Sequence, residues 1–300
     1  MKIRLKSIYA VLKTAFNRWW SKDFFRESAV ISYYSIFSLP GLLVLILSIA
    51  GYFFGNGAAN DYMTEQFTST MGADTAEQIR SMIIQSSETE KTFWAVLIGV
   101  ITILVGATGV FAQFQESLNK IWEVKADETR SEIWHVIRVR LFSFGLIVSV
   151  AFLLIVSLAM SAGISALNDW VSGNFPESLL IVIQVVNYIL SLVVLTVLFS
   201  LFFKVLPDAK VEWKHVWIGS LVTAFLFNIG KFALGLYFAK ASPGIGYGTA
   251  GSIILIMLWV SYSSMIVFYG AEFTRAYADL FPGKVPPTDI AKTDIQIKTD

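Results

Sequence analysis

The sequence predicts an all-α integral membrane protein: a bundle of six transmembrane helices, N-terminus and C-terminus both cytosolic, preceded by an amphipathic helix. Three observations lead there. Hydrophobic residues make up 55% of the 300-residue chain and charged residues only 15%, too little charge to coat a soluble domain of this size. Six apolar stretches are each long enough to cross a bilayer. Lys and Arg divide sharply between alternate connecting segments, the pattern produced when basic loops are retained on the cytosolic side. The net charge of +1 says nothing about partners, and the absence of cysteine excludes disulfides, thiolate metal sites and a cysteine nucleophile.

The leader, residues 1–28, repeats apolar side chains at helical spacing: Ile8, Val11, Leu12, Ala15, Phe16 and Trp19, with basic and polar groups opposite. It is expected to be an amphipathic helix at the inner leaflet. Its role is either sensing of the lipid surface or covering of the bundle. The apolar stretch that follows is too long for the core of a signal peptide, so a retained anchor is expected.

The spans are expected at 29–54, 93–112, 141–167, 179–203, 216–239 and 251–271. All but the fifth are free of charge, and the fifth is interrupted by Lys231. About 20 residues of helix cross a ~30 Å hydrocarbon core. No ten-residue alternation speaks for a barrel. With this division, nineteen of the 23 basic residues fall on the cytosolic side, and Arg80, Lys91 and Lys240 on the other. Trp19, Trp20, Trp122, Trp134, Trp213 and Trp217 fall at the inner interface, Trp94 and Trp170 at the outer one, and Trp259 at mid-span; Trp prefers the headgroup level.

Outside the spans, the acidic outer segment 55–92 is expected to hold two short helices, as a lid, a docking surface or a plain cover. The stretch 277–300 is polar, contains Pro286-Pro287, and is expected to be a disordered cytosolic tail.

Polar groups within or beside the spans are the candidate site residues, since ionisable groups are costly there and usually face a cavity or a partner. Lys231 lies in the outer half of the fifth span beside Asn228. It either binds an anionic headgroup, pairs with a carboxylate, or snorkels to the interface. Glu272 closes the sixth span with Arg275 one turn on, as a vestibule or proton site or as an interfacial ion pair. The second span continues as Gln113, Glu116 and Lys120, with Glu116 and Lys120 in the favourable i,i+4 order. The first span opens with Ser32, Tyr33, Tyr34, Ser35 and Ser38, and Pro40 is expected to kink it. These groups define either a cytosol-facing polar cavity between spans one, two and six or close helix packing. Gly106, Gly109, Gly219 and Ser220 permit close helix contact. His135 and His215 are not in metal-binding spacing, and no Walker loop or nucleophile elbow is present. No catalytic residue, cofactor or metal is expected.

The chain resembles the YihY/BrkB family. The residues that carry the likeness are Ser32-Tyr33-Tyr34-Ser35 with Phe37-Ser38, Gly106-Ala107-Thr108-Gly109-Val110 with Leu118-Asn119-Lys120-Ile121-Trp122, and Lys204-Val205-Leu206-Pro207-Asp208. Gly230-Lys231 and Tyr247-Gly248-Thr249-Ala250-Gly251-Ser252 through Tyr269-Gly270-Ala271-Glu272-Phe273 complete it, over about residues 25–280. The resemblance implies a bacterial inner-membrane protein of six helices. It also implies an old label, ribonuclease BN, against which the absence of clustered His and Asp ligands speaks, and a loose link to lipid or lipopolysaccharide export.

These readings lead to a carrier or flippase for an anionic, lipid-like substrate, with Lys231, Asn228, Glu272, Glu116, Gln113 and Tyr34 as substrate-binding candidates. The alternatives are a non-transporting scaffold for envelope proteins and, disfavoured, a ribonuclease. Membrane lipids are the expected partners, nucleic acid is not, and self-association into a homo-oligomer stays open.

Overall fold

Apolar segments of this length meet no water at bilayer depth, and a helix satisfies their backbone N–H and C=O groups internally. The computed structural model follows that rule. It describes residues 5–55, 93–126, 178–241 and 251–280, with residues 57, 64, 65, 68, 77, 80, 81, 243, 286, 288 and 291–293. In chain order the elements are α1 (Leu5–Ser21), α2 (Phe24–Phe54), α3 (Phe93–Trp122), β1 (Val124–Ala126), α4 (Ser178–Val205), α5 (Trp213–Ala241), α6 (Gly251–Ala278) and β2 (Ala291–Thr293). The stretches expected at 29–54, 93–112, 179–203, 216–239 and 251–271 fall within α2 to α6. The expected span at 141–167, most of the outer segment 55–92 and nearly all of 242–248 lie outside the described residues. Among the described residues, three helical stretches are long and apolar enough to cross a membrane: Tyr188–Val205, Trp213–Phe238 and Ile253–Ala278. Helix α2 is assigned without interruption from Phe24 to Phe54, helical on both sides of Pro40.

Small residues set how closely the helices approach. Helices α5 and α6 run antiparallel and interlock through a repeated Gly-x-x-x-Thr spacing, Gly219 and Thr223 on one, Gly270 and Thr274 on the other. A Cβ on Gly219 would stand 1.8 Å from Thr274 Oγ1, and one on Gly270 1.9 Å from Thr223 Oγ1. Each threonine thus occupies the space left by the other helix's glycine. Each hydroxyl donates to the carbonyl of the glycine on its own helix at 2.7 Å, so the seam holds no unsatisfied threonine hydroxyl. Helices α2 and α3 meet in a similar way. Gly106 lies against the backbone of Ser38, and Gly109 lies under the Tyr34 ring. With hydrocarbon as solvent, such close packing is a main source of helix–helix attraction.

The outward faces are as apolar as the inward ones. Trp217, Leu221, Phe225, Ile229, Phe232 and Leu236 recur at helical spacing along α5 and are all exposed. An apolar surface of this extent is a place for lipid. The buried apolar core gathers Phe24, Ile31, Leu118, Ile121, Phe199, Phe203, Val216 and Phe268. Its centre is aromatic: Phe268 stacks on Phe24 at 4.8 Å between centroids and meets Phe114 at 5.5 Å.

Helix α1 lies across α6. The Leu12 carbonyl accepts from the Tyr269 hydroxyl, the Trp19 indole N–H donates to the Met265 carbonyl, and Arg18 pairs with Asp279. These pairs follow neither a parallel nor an antiparallel register, so the two helices cross steeply. Asp23, in the left-handed region at φ 52°, turns the chain from α1 into α2; Asp tolerates that conformation better than most residues.

At the chain's far end the structure departs from the expected disordered tail. Helix α6 continues to Ala278, and Ala291–Thr293 pairs antiparallel with Val124–Ala126. Pro286 O accepts from Lys210 N, and Thr288 N donates to Asp208 O, both at 2.9 Å. Backbone pairing explains why a polar, proline-containing segment is ordered at these residues: β1 and the 206–211 turn offer it unpaired donors and acceptors, which composition does not reveal.

Three outcomes are expected. Gly219→Leu overpacks the α5–α6 seam and costs about 1–3 kcal/mol of stability, read from unfolding in mixed micelles. Gly57→Ala, with nothing within 4 Å, leaves stability unchanged. Truncation before Pro286 accelerates hydrogen exchange at the Lys210 amide, measured by mass spectrometry.

Candidate functional site

The end of the bundle where α2 begins and α3 and α6 finish is rich in paired charge, and we refer to it as the basic end. Its geometry follows from the last two turns of α3. Gln113, Ser117 and Lys120 recur at intervals of four and three and so share one face; Gln115 and Asn119 share another. Buried Leu118 and Ile121 lie between the two polar stripes.

The first stripe surrounds Glu27, which stands in the first turn of α2, where a carboxylate also suits the helix dipole. Glu27 is buried, with only 5% of its surface exposed. It accepts from Gln113 Nε2, from Ser117 Oγ at 3.4 Å and from Lys120 Nζ at 2.8 Å. Lys120 also pairs with Glu116 at 3.2 Å. This lysine lies beyond the apolar stretch 93–112. Partial burial works against its charge, yet the hydrogen bonds and charges of Glu27 and Glu116 outweigh that and hold the ammonium above its ordinary range. A raised lysine pKa contributes stability that is fully present below the ordinary value and is lost only as pH climbs through the raised one. The pair is therefore intact at any neutral pH.

The second stripe holds Asp208, which follows Pro207 in the turn between α4 and α5 and is itself buried. Asn119 Nδ2 donates to Asp208 Oδ2 and the Asp208 backbone N–H donates to Asn119 Oδ1, each at 2.8 Å. Gln115 Nε2 adds a bond at 3.2 Å. This reciprocal clamp joins α3 to the 206–211 turn, and the Asp208 carbonyl carries the bond from Thr288 onward to the tail.

The third group centres on Glu272, whose side chain has no exposure at all. Its Oε1 accepts from Lys22 Nζ at 2.7 Å. Lys22 also donates to the Lys120 carbonyl at 3.3 Å, at the negative end of the α3 dipole. Glu272 Oε2 is buried without a hydrogen-bond partner among the described residues. Arg275, one turn on, donates to the Ile121 carbonyl and pairs with Glu123 at 2.8 Å. Glu272 therefore takes Lys22, not Arg275, as its direct partner.

Of the six candidate residues read from the sequence, Gln113, Glu116 and Glu272 come together at this end, linked through Lys120 and Lys22. Tyr34 lies seven residues past Glu27, about 10 Å along α2, with its ring over Gly109. The serines near it are engaged within their own helix: Ser32 donates to Ala29 O, Ser35 to Ile31 O and Ser38 to Ser35 O. Asn228 and Lys231 stand apart. They are on α5, and Lys231 is twelve residues beyond Gly219, about 18 Å further along the helix. Asn228 Nδ2 donates to the Ala224 carbonyl at 3.0 Å. Lys231 is half-buried, without an ion-pair partner among the described residues.

Among the polar residues of this end that did not emerge from the sequence as site residues are Lys22, Glu27, Asn119 and Asp208. Lys22 counted only as one of many basic residues in the leader. Glu27 lies two residues before the first apolar stretch and so outside the spans, where charge is costly. Asn119 and Asp208 sit in the motifs that carry the family resemblance, and that was the only signal for them.

A family model described as virulence factor BrkB matches residues 15–288. Among curated proteins, the chain is similar to a UPF0761 membrane protein of Rhodospirillum centenum, 24% identical over 285 residues that cover 94% of this chain and 60% of that protein. It is similar to another from Mannheimia succiniciproducens, 23% identical over 304 residues covering 99% and 98%. A third, from Pasteurella multocida, is 31% identical over 189 residues covering 61% and 54%. The chain spans 57–60% of the length of the first relatives it matches. No solved structure matches it.

The Lys22–Glu272 pair yields a double-variant expectation. Lys22→Met alone leaves a buried carboxylate without its cation and costs about 3–5 kcal/mol. Adding Glu272→Met restores most of that loss, since apolar replacements of both partners are often neutral. Denaturant titration in micelles of the two single variants and the double variant measures the coupling.

Proposed function

The chain belongs to the BrkB virulence-factor family of membrane proteins, and we propose that it acts there as a carrier or flippase for an anionic, lipid-like substrate. Lys231 carries this reading. It stands eighteen residues into α5, about 27 Å from Trp213 along the helix axis, within the apolar stretch Trp213–Phe238. An ammonium within an apolar stretch is costly unless it faces a cavity, an anion or the interface, and no described residue supplies the anion. A phosphate or carboxylate headgroup would. The exposed apolar ridge along the same helix, Leu221 to Leu236, suits the acyl portion of such a substrate.

In this reading the basic end faces the cytosol, with both chain termini on that side of the inner membrane. The division of nineteen basic residues against three supports the orientation. Glu27 and Glu272 then belong to a cytosolic gate held shut by Lys120 and Lys22, and substrate entry requires those pairs to exchange partners. A second reading, a non-transporting scaffold, is favoured by the self-bonded serines and the interlocked Gly-x-x-x-Thr seam. Both features are those of a closely packed bundle.

Translocation of a fluorescent anionic lipid in proteoliposomes tests the proposal. Lys231→Ala removes a charge-assisted contact worth about 1.5–3 kcal/mol, at least about tenfold in substrate affinity. Lys231→Arg retains most of the activity. An unchanged rate in Lys231→Ala removes this residue from the site. Lack of translocation by the unaltered protein, with stable co-purifying envelope proteins, selects the scaffold.

A further inference from the structure

The charge clusters and Lys231 leave one large surface feature unused, the outer side of α1. Its helical period divides it into three faces. Val11, Ala15 and Trp19 form the first. Val11 and Ala15 are 3% and 0% exposed and pack on Phe273, Ala276 and Tyr277. Thr14 and Asn17 lie on a polar face and are exposed. The remaining face is aromatic and turned outward: Tyr9 is 68% exposed, Phe16 49% and Trp20 73%, with Leu12 beside them. The Phe16 and Trp20 rings stack with centroids 6.2 Å apart. Lys13 lies about 40° around the helix from Tyr9, between the aromatic and polar faces.

A helix that only covered the bundle would need one apolar face, and α1 has two. Exposed aromatic side chains also stand on other helices at the same end. Phe25 begins α2 and is 67% exposed, and Trp213 and Trp217 begin α5, both exposed. Large exposed aromatic side chains at the same end of three different helices suit a membrane boundary. Trp and Tyr prefer such a boundary, between headgroups and acyl chains. The charge fits the same occupant. Residues 1–26 hold seven Lys and Arg and a single acidic residue, Asp23. Arg18 and Lys22 are taken by Asp279 and Glu272. Lys13 is exposed and has no ion-pair partner among the described residues.

We propose that the Tyr9–Leu12–Phe16–Trp20 face of α1 is a docking surface for a lipid leaflet with anionic headgroups. The rings lie at the headgroup–acyl boundary and Lys13 lies among the lipid phosphates. An apolar helix face buried to that depth, with basic residues at its edge, is how interfacial helices bind. Nearby basic side chains add electrostatic attraction to anionic lipid. The proposal does not depend on whether the protein transports anything.

The chain has no cysteine, so single labels are clean. The full-length protein is prepared with one cysteine at position 9, 16 or 20, or at 14 or 17 for reference. Each is spin-labelled and placed in nanodiscs of phosphatidylcholine alone or mixed with phosphatidylglycerol. Collision with oxygen, which concentrates in lipid, is compared with collision with a water-soluble nickel chelate. At positions 9, 16 and 20 the oxygen-to-nickel ratio is expected to be several times that at 14 and 17. In a Lys13→Gln background, the ratio at position 20 is expected to fall in the mixed discs and to stay constant in phosphatidylcholine. Equal nickel access at all five positions means water covers the face and overturns the proposal. Exclusion of both reagents from 9, 16 and 20 overturns it in favour of a protein partner, such as a second copy. A Lys13→Gln effect of equal size in both lipids, or none in either, overturns the anionic requirement.

Discussion

Glu272 has no solvent exposure, and the position of three helices follows from how its charge is met. A carboxylate in apolar surroundings must find a cation and donors or take up a proton. Its cation comes from Lys22, the residue before the Asp23 corner that ends α1 and starts α2. The same ammonium reaches the Lys120 carbonyl in the last turn of α3. One lysine thus joins α6, the α1–α2 corner and α3 at a single point. Arg275, free of Glu272, is available for Ile121 and Glu123. Glu27 and Asp208 repeat the arrangement on either side, each a buried carboxylate met by side chains from one face of α3.

This clustering at one end and its near absence elsewhere among the described residues reflect what the surroundings permit. Along the apolar lengths of α5 and α6 the contacts are steric, glycine against threonine, with hydroxyls returned to their own backbone. Polar interactions between helices concentrate where both partners can be desolvated by protein and still lie near water. The tail and β1 add a further layer at this end, linked to Asp208 through backbone bonds that need no particular side chains. Lys231 is the exception, a charge within the steric region.

Helix positions were legible in the sequence because they depend on one additive property. The apolar stretches at 179–203 and 251–271 start within one residue of helices α4 and α6, and Gly106 and Gly109 were visible as points of close approach. The site was less legible. Gln113 and Glu116 could be placed on a shared face from their spacing. Glu116 pairs with Lys120 one turn along the same helix, which the spacing alone allows, whereas the partner of Gln113, Glu27, depends on how α3 is rotated against α2. Glu272 and Arg275 look like a pair in sequence because they are one turn apart. In three dimensions, Lys22, 250 residues away in the chain, takes that place. The ordered residues beyond 280 were hidden because strand pairing is a property of two segments and composition describes only one.

By itself, the sequence determined that this is a membrane protein of the BrkB type, where most of its helices lie and how its basic residues divide. Hydropathy, charge and motif are properties of the residues in order, and they need no partner to be read. The tertiary structure decided which polar groups meet: Lys22 with Glu272, Lys120 with Glu27, Asn119 with Asp208. It also decided that α1 has one apolar face against α6 and a second turned outward. Those outcomes depend on the rotation and crossing of helices, which hydrophobic burial alone leaves undetermined. They are set by where a glycine lets a threonine in and where a buried carboxylate finds its cation.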